Sequence, residues 1–229
     1  GWYLRALEIY ERLGLERDAA GAYHQLGMVA EDRGQFDAAE GWYRRALEIY
    51  ERLGLERDAA DDYHQLGMVA QKRGQFDAAE GWCRRALEIY ERLGLERYAA
   101  TGYHQMGNVA YLRNQFEAAE GWYRRALEIK ERLGHPPVMV DTLAQMGVLR
   151  RVQGQPAQAV DWFGRALVIA AEYQMRVGGQ ILTDLARLYR DMGEDAFAAA
   201  WREAFEGQEP PLDALKEVLH RIEAGKEDV

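Results

Sequence analysis

The sequence predicts an all-α protein, a solenoid of antiparallel helix pairs. Three observations carry that expectation. Residues 1–40 and 41–80 differ at only five positions, 4/44, 21/61, 22/62, 31/71 and 32/72. Tryptophan returns on the same forty-residue period at Trp2, Trp42, Trp82, Trp122 and Trp162, with Trp201 one residue early. Within each period, apolar residues fall at helical spacing and glycine closes each run. A fixed period in this range marks stacked supersecondary units that bury a face only against their neighbours.

The elements follow in order. A leading helix covers 1–13. Five helix pairs follow at about 18–53, 58–93, 98–133, 137–173 and 177–207, and together 1–209 form the array. In the second pair, Tyr63, Leu66, Gly67 and Ala70 share one face of the first helix. Asp58 is expected to cap that helix, and Gly74 to end it in the left-handed conformation. Its second helix runs from about Asp77 to Leu93 and buries Phe76, Ala79, Cys83, Ala86, Leu87 and Tyr90. Small residues such as Gly67 and Ala79 let the two backbones approach closely. Glu48 and Arg52, one turn apart, are an ordinary exposed ion pair.

The fourth pair opens at His135-Pro136-Pro137, where proline suits a first helical turn. The fifth opens at Gly178-Gly179, a weak start. Arg202 stands where units one and three have a core Tyr. Beyond Pro210-Pro211, Leu212, Leu215, Val218, Leu219 and Ile222 form a single apolar stripe. Residues 210–229 are therefore expected to be a C-terminal capping helix, with one face for the stack and one for water.

Composition excludes several function classes. A net charge of -9 repels a phosphate backbone, so no nucleic-acid partner is expected. No run of 18 apolar residues occurs, so no membrane partner is expected. The single cysteine allows no internal disulfide, which suits a reducing, cytoplasmic setting. The chain opens on Gly1, and a fragment of a longer protein is the expectation.

Catalytic chemistry finds no foothold. The chain has no serine. Cys83 fills the slot that Tyr43, Tyr123 and Phe163 hold, which makes it core rather than nucleophile. His24, His64 and His104 recur on successive units, too far apart to share one ion, and no His-x-x-x-His or Cys-x-x-Cys occurs. The expectation is no enzyme, no cofactor and no metal.

Tyr23-x-x-Leu26-Gly27, followed by Phe36, Ala39, Tyr43 and Ala46, resembles the tetratricopeptide repeat. The match recurs in every unit. The family's usual proline after the second helix is absent, and Glu51, Glu91 and Glu131 stand there instead. The second helix therefore lengthens a unit of about 34 residues. This is similar to the long-helix subclass of spindle-orientation adaptors, kinesin light chains and bacterial signalling ATPases. The resemblance implies a right-handed superhelix with a concave groove.

At about 100° per residue, Gly21, His24, Gln25, Met28 and Asp32 lie opposite the packing face, with Glu31 at its edge and Ala22/Asp62 on the flank. The resemblance assigns that side to the groove. The candidate peptide-binding residues are His24, Gln25, Met28, His64, Gln65, Met68, His104, Gln105, Asn108, Tyr111, Gln145, Arg151, Arg187 and Arg190. The Gln25, Gln65, Gln105, Gln145 column offers a donor and an acceptor at each step to an extended backbone. Of the five differences between the first two copies, 21/61, 31/71 and 32/72 fall on this side or its edge.

The expected function is a non-enzymatic scaffold that takes a peptide or helix of a partner protein. Two alternatives keep the fold. The chain could be the ligand-sensing arm of a larger bacterial signalling ATPase. It could also self-associate end to end, because helix 1–13 lacks a preceding partner and leaves Trp2, Tyr3, Ala6 and Leu7 without cover.

Overall fold

A computed structural model describes residues 1–224, so the last five residues of the expected capping segment lie outside it. The described residues are all-α, built from helices packed in consecutive antiparallel pairs. They form two compact units that divide between Trp122 and Tyr123.

The first unit contains α1 (Trp2–Leu13), α2 (Glu16–Asp32), α3 (Phe36–Arg52), α4 (Glu56–Lys72), α5 (Phe76–Arg92) and α6 (Glu96–Leu112). The next helix, α7 (Phe116–Arg132), carries the division point. From α1 to α6 each helix packs on the next, and α4 also touches α6. Tyr43, Ala39 and Ala46 are fully buried on α3, as are Cys83, Ala79 and Ala86 on α5. A Cβ placed on Gly67 would sit 2.4 Å from Cys83 Sγ, and one on Gly27 would sit 2.6 Å from the Tyr43 ring. No larger residue fits there without pushing the two helices apart.

The turns use the left-handed conformation that glycine adopts without strain. Gly74 sits at φ 72°, and its counterpart Asn114 holds φ 59°. Asparagine is the side chain that tolerates this region best.

Three expectations need correction. Asp58 does not cap α4. The N-cap is Leu55, without a side-chain bond, and Asp58 lies inside the first turn, where its charge favours the helix dipole. Leu7 is buried, because α2 packs over it; Trp2 at 85 % exposure and Tyr3 at 43 % do stand clear. Asp62, expected on a flank, is wholly buried.

The second unit continues from α7 through a 3-10 turn at Pro136–Met139 into α8 (Val140–Val152). Then come α9 (Pro156–Glu172), α10 (Gly178–Met192), α11 (Glu194–Ala204) and α12 (Leu212–Glu223). α9 packs against α8, α10 and α11. Gly147 repeats the close approach: a Cβ placed there would sit 2.7 Å from the Phe163 ring. In the fifth pair that contact is gone on both sides. The glycine is replaced by buried Ala186, and Arg202 turns to solvent, where it forks onto Glu209. Phe197 and Trp201 supply the buried rings of α11 instead. α12 buries Leu215 and Leu219 and packs on α10, with Lys216 paired to Glu194 at 3.0 Å.

Candidate functional site

The packing face of the first helices is built by a repeated stack. Tyr23 lies on Trp42 with ring centroids 5.7 Å apart, Tyr63 on Trp82 at 5.6 Å, and Tyr103 on Trp122 at 5.7 Å. Each hydroxyl donates to a glutamate twelve residues earlier, Glu11, Glu51 or Glu91. Arg45 and Arg85 lay guanidinium groups over the first two stacks. A tyrosine on this face is thus held through its ring by π-stacking and cation–π attraction, and through its tip by a charge-assisted bond.

The other side of the same helices is more tightly tied than its sequence suggested. His24 Nδ1 and Asp62 Oδ1 share a hydrogen bond of 2.7 Å, linking α2 to α4. Lys72 and Tyr43 both donate to Glu31, at 2.7 and 2.9 Å. Between α4 and α6, Gln105 Nε2 donates to Gln71 Oε1. Tyr90, from α5, donates to Asp61 at 2.8 Å. Four of these groups, Asp61, Asp62, Gln71 and Lys72, stand at positions where the second copy departs from the first. The departures therefore change which helices are tied to each other, as well as what faces water.

Charge behaves accordingly. Burial raises the Asp62 carboxyl to about 6, against the opposing pull of His24. Burial alone would lower His24, but the bond to Asp62 and the nearby carboxylates of Asp62, Asp61 and Asp58 outweigh it and raise the imidazole. His64 is lowered by burial, and its Nδ1 has no hydrogen-bond partner among the described residues. The second oxygen of Asp62 is in the same position.

The candidate residues therefore divide. Gln25, Gln65, Met68, His104, Asn108 and Tyr111 are half-buried on α2, α4 and α6, and Met28 is exposed. His24 is half-buried and committed to Asp62. Gln105 is corrected from displayed to buried, at 7 % exposure, since its amide is spent on Gln71 and accepts from Asn108 at 3.4 Å. His64 keeps a buried ring nitrogen rather than an open imidazole. In the second unit, Gln145, Arg151 and Arg187 are half-buried and Arg190 is exposed. Arg151 and Arg187 approach Asp184 at 3.8 and 3.9 Å, so that stretch is partly neutralised.

Asp62 is the functional-looking side chain that sequence reasoning missed, and Glu31 and Gln71, placed on the groove side or its edge, were not expected to bond between helices. The available signal was Ala22 in one copy facing Asp62 in the next: a charge gained at a helix position next to the packing stripe calls for a partner.

Cys83 is buried and its thiol is pushed up to about 12 by desolvation. Among the described residues no three His, Cys, Asp or Glu side chains converge on an ion site. No described helix is long and apolar enough to cross a membrane. The geometry offers donors, acceptors and apolar surface for contact with another molecule.

Comparison with known proteins places the fold. Residues 1–52 and 58–132 match the family model described as tetratricopeptide repeat. No curated protein matches the sequence. Among solved structures, BtubC (BKLC) from P. vanneervenii is similar over 96 % of this chain and 89 % of its own, at 24 % identity and TM-score 0.75. A putative kinesin light chain from Podosopora anserina, with nearly identical TPR-like repeats, is similar over 91 % of this chain and 96 % of its own, at 16 % identity and TM-score 0.64. A Rap protein complexed with competence and sporulation factor is similar over 94 % of this chain at 20 % identity and TM-score 0.69, and the match spans 61 % of the Rap chain. At these identities the likeness is one of fold. With more than half its length matched by the family model, the chain belongs to the tetratricopeptide repeat family.

Proposed function

We propose that the chain is a non-enzymatic protein–protein interaction scaffold, in which the face formed by Gln25, Met28, Gln65, Met68, Asn108 and Tyr111 takes a peptide or helix of a partner protein. One observation carries the reading. Copies that are otherwise nearly identical differ at positions gathered on or beside one side of the first helix. Three of the five differences, 21/61, 31/71 and 32/72, fall on or beside that side while the Tyr–Leu–Gly packing letters are held fixed, which is how a repeat array acquires a ligand preference. The Rap neighbour complexed with competence and sporulation factor supports a ligand-binding use of this fold. A cytoplasmic setting and a capping role for α12 belong to the same proposal.

The test is a peptide array screened with the whole chain, followed by a Gln65→Ala, Met68→Ala variant. These side chains are half-buried and outside the Tyr–Trp stack, so folding should survive. Loss of binding to array hits with an unchanged circular-dichroism melt supports the face; undiminished binding overturns it.

Two readings compete with this one. A regulatory arm of a larger signalling protein is favoured by the Rap likeness, and the sequence of the parent gene around residue 1 decides it. End-to-end self-association is favoured by the exposure of Trp2, Tyr3, Leu4 and Leu13 on α1; light scattering that stays monomeric at high concentration removes it.

A further inference from the structure

The second unit holds a hollow of about 500 Å³, open on one side and lined by Leu127, Glu131, Leu143, Trp162, Arg165 and Phe205 among others. Its origin is visible in the repeat. Leu143 is the forty-residue counterpart of Tyr23, Tyr63 and Tyr103, and Glu131 is the counterpart of Glu11, Glu51 and Glu91. Trp162 and Arg165 occupy the places of Trp42 and Arg45. Every part of the tyrosine-holding arrangement is therefore kept except the tyrosine. The Arg165 guanidinium still lies over the Trp162 ring at 5.4 Å. Leucine brings no hydroxyl, so Glu131 lacks the phenolic donor that its three counterparts have.

We propose that this hollow is a docking slot for a tyrosine side chain from a segment of a partner protein. The chain shows three times how such a ring is held: its face on the tryptophan and its hydroxyl on the glutamate, with the first two also lying beneath an arginine. The electrostatics complement that occupant at each point. The guanidinium meets a π-face, and the carboxylate meets an O–H donor. Arg124 and Arg165 balance Glu128 and Glu131 around the slot, and the carboxylate of Glu131 in the hydroxyl's place matches an O–H donor rather than a phosphate. The volume exceeds one ring and leaves room for flanking residues of the segment. The slot lies wholly in the second unit and stands whether or not the first-helix face binds anything.

The test uses the whole chain with labelled tryptophan indoles, titrated with N-acetyl-tyrosinamide and N-acetyl-phenylalaninamide. The expected result is a saturable shift of the Trp162 indole, with the tyrosine probe bound about tenfold more tightly, since the charged hydrogen bond is worth that ratio. Leu143→Tyr fills the slot from within and abolishes the shift. Glu131→Ala removes the preference for tyrosine over phenylalanine, and it decides the matter if Leu143→Tyr fails to fold. The proposal is overturned by the absence of a saturable shift up to the solubility limit, or by equal affinity for both probes. Binding that survives Leu143→Tyr also overturns it. A Trp162 shift that grows with protein concentration alone assigns the slot to a second copy and overturns the partner assignment.

Discussion

The three near-identical repeats and the fourth share one contact within a helix pair and differ at another. The close approach of a glycine to the facing helix recurs: Gly27 faces the Tyr43 ring, Gly67 the Cys83 thiol and Gly147 the Phe163 ring. The tyrosine–tryptophan stack is kept three times and then dropped at Leu143. α8 and α9 nevertheless pack as a pair. The close approach therefore sets the pair's geometry, while the stack fills the gap between one pair's second helix and its neighbours. Where the approach itself is lost, at Ala186 and Arg202, the second helix shortens to α11, Glu194–Ala204. Losing the stack opens a hollow; losing the approach coincides with a rebuilt helix.

That ranking predicts the largest effect at Gly67. Gly67→Ala should destabilise by about 2–3 kcal/mol, because its Cβ meets Sγ at 2.4 Å and two backbone atoms at 3.4 Å. Adding Cys83→Ala should restore most of the loss by removing Sγ. Gly81→Ala, also in a helix interior but with nothing within 4 Å, should instead gain about 0.5–1 kcal/mol. Urea unfolding of the three variants reads both signs, and a uniform gain across them would show that the approach is not limiting.

The next effect down is Tyr63→Leu, which imposes the fourth repeat's slot on the second. It removes the ring from Trp82 and the donor from Glu51. A cost of about 2 kcal/mol follows from the cavity and the lost bond. A cost near zero would mean that the strict repeats gain nothing from the stack.

Much of this was legible beforehand, for a physical reason. Periodic apolar spacing and glycine punctuation report backbone geometry, so the helix pairs could be read from the letters, as could Gly74 and the buried Cys83. The tie between His24 and Asp62 could not. It spans 38 residues and two helices, and a helical wheel places Asp62 on a flank because the wheel omits the neighbouring helix. Gln105 failed for the same reason: its partner Gln71 belongs to the preceding repeat. The Leu143 slot was present in the sequence as one exchanged letter, but the hollow is a property of what the other letters leave unfilled.

The last effect concerns that tie, is close to zero at neutral pH, and grows as pH falls. Burial pushes the Asp62 carboxyl up from its ordinary 3.8 to about 6, and His24 is also raised. Both groups hold protons more tightly when folded, so their contribution is present at low pH and declines as pH rises, through about 6 for Asp62 and above 6.5 for His24. His64 is lowered and acts in the opposite sense, losing its contribution as pH falls, which makes the raw stability profile a poor readout. The difference between wild type and Asp62→Ala isolates the tie. Alanine fits there, as buried Ala22 shows in the first copy. The penalty for Asp62→Ala should therefore shrink by about 2 kcal/mol between pH 4.5 and pH 7.5. At neutral pH the substitution should be close to neutral, because it also removes a buried carboxylate whose second oxygen is unpaired. His24→Ala should do the reverse at pH 7.5, stranding that carboxylate, and the double variant should recover the loss. Denaturant midpoints for the four proteins at both values close the cycle. A penalty for Asp62→Ala that does not change with pH would reduce the second copy's acquired acid to filler, leaving the first two repeats equivalent in energy as they nearly are in sequence.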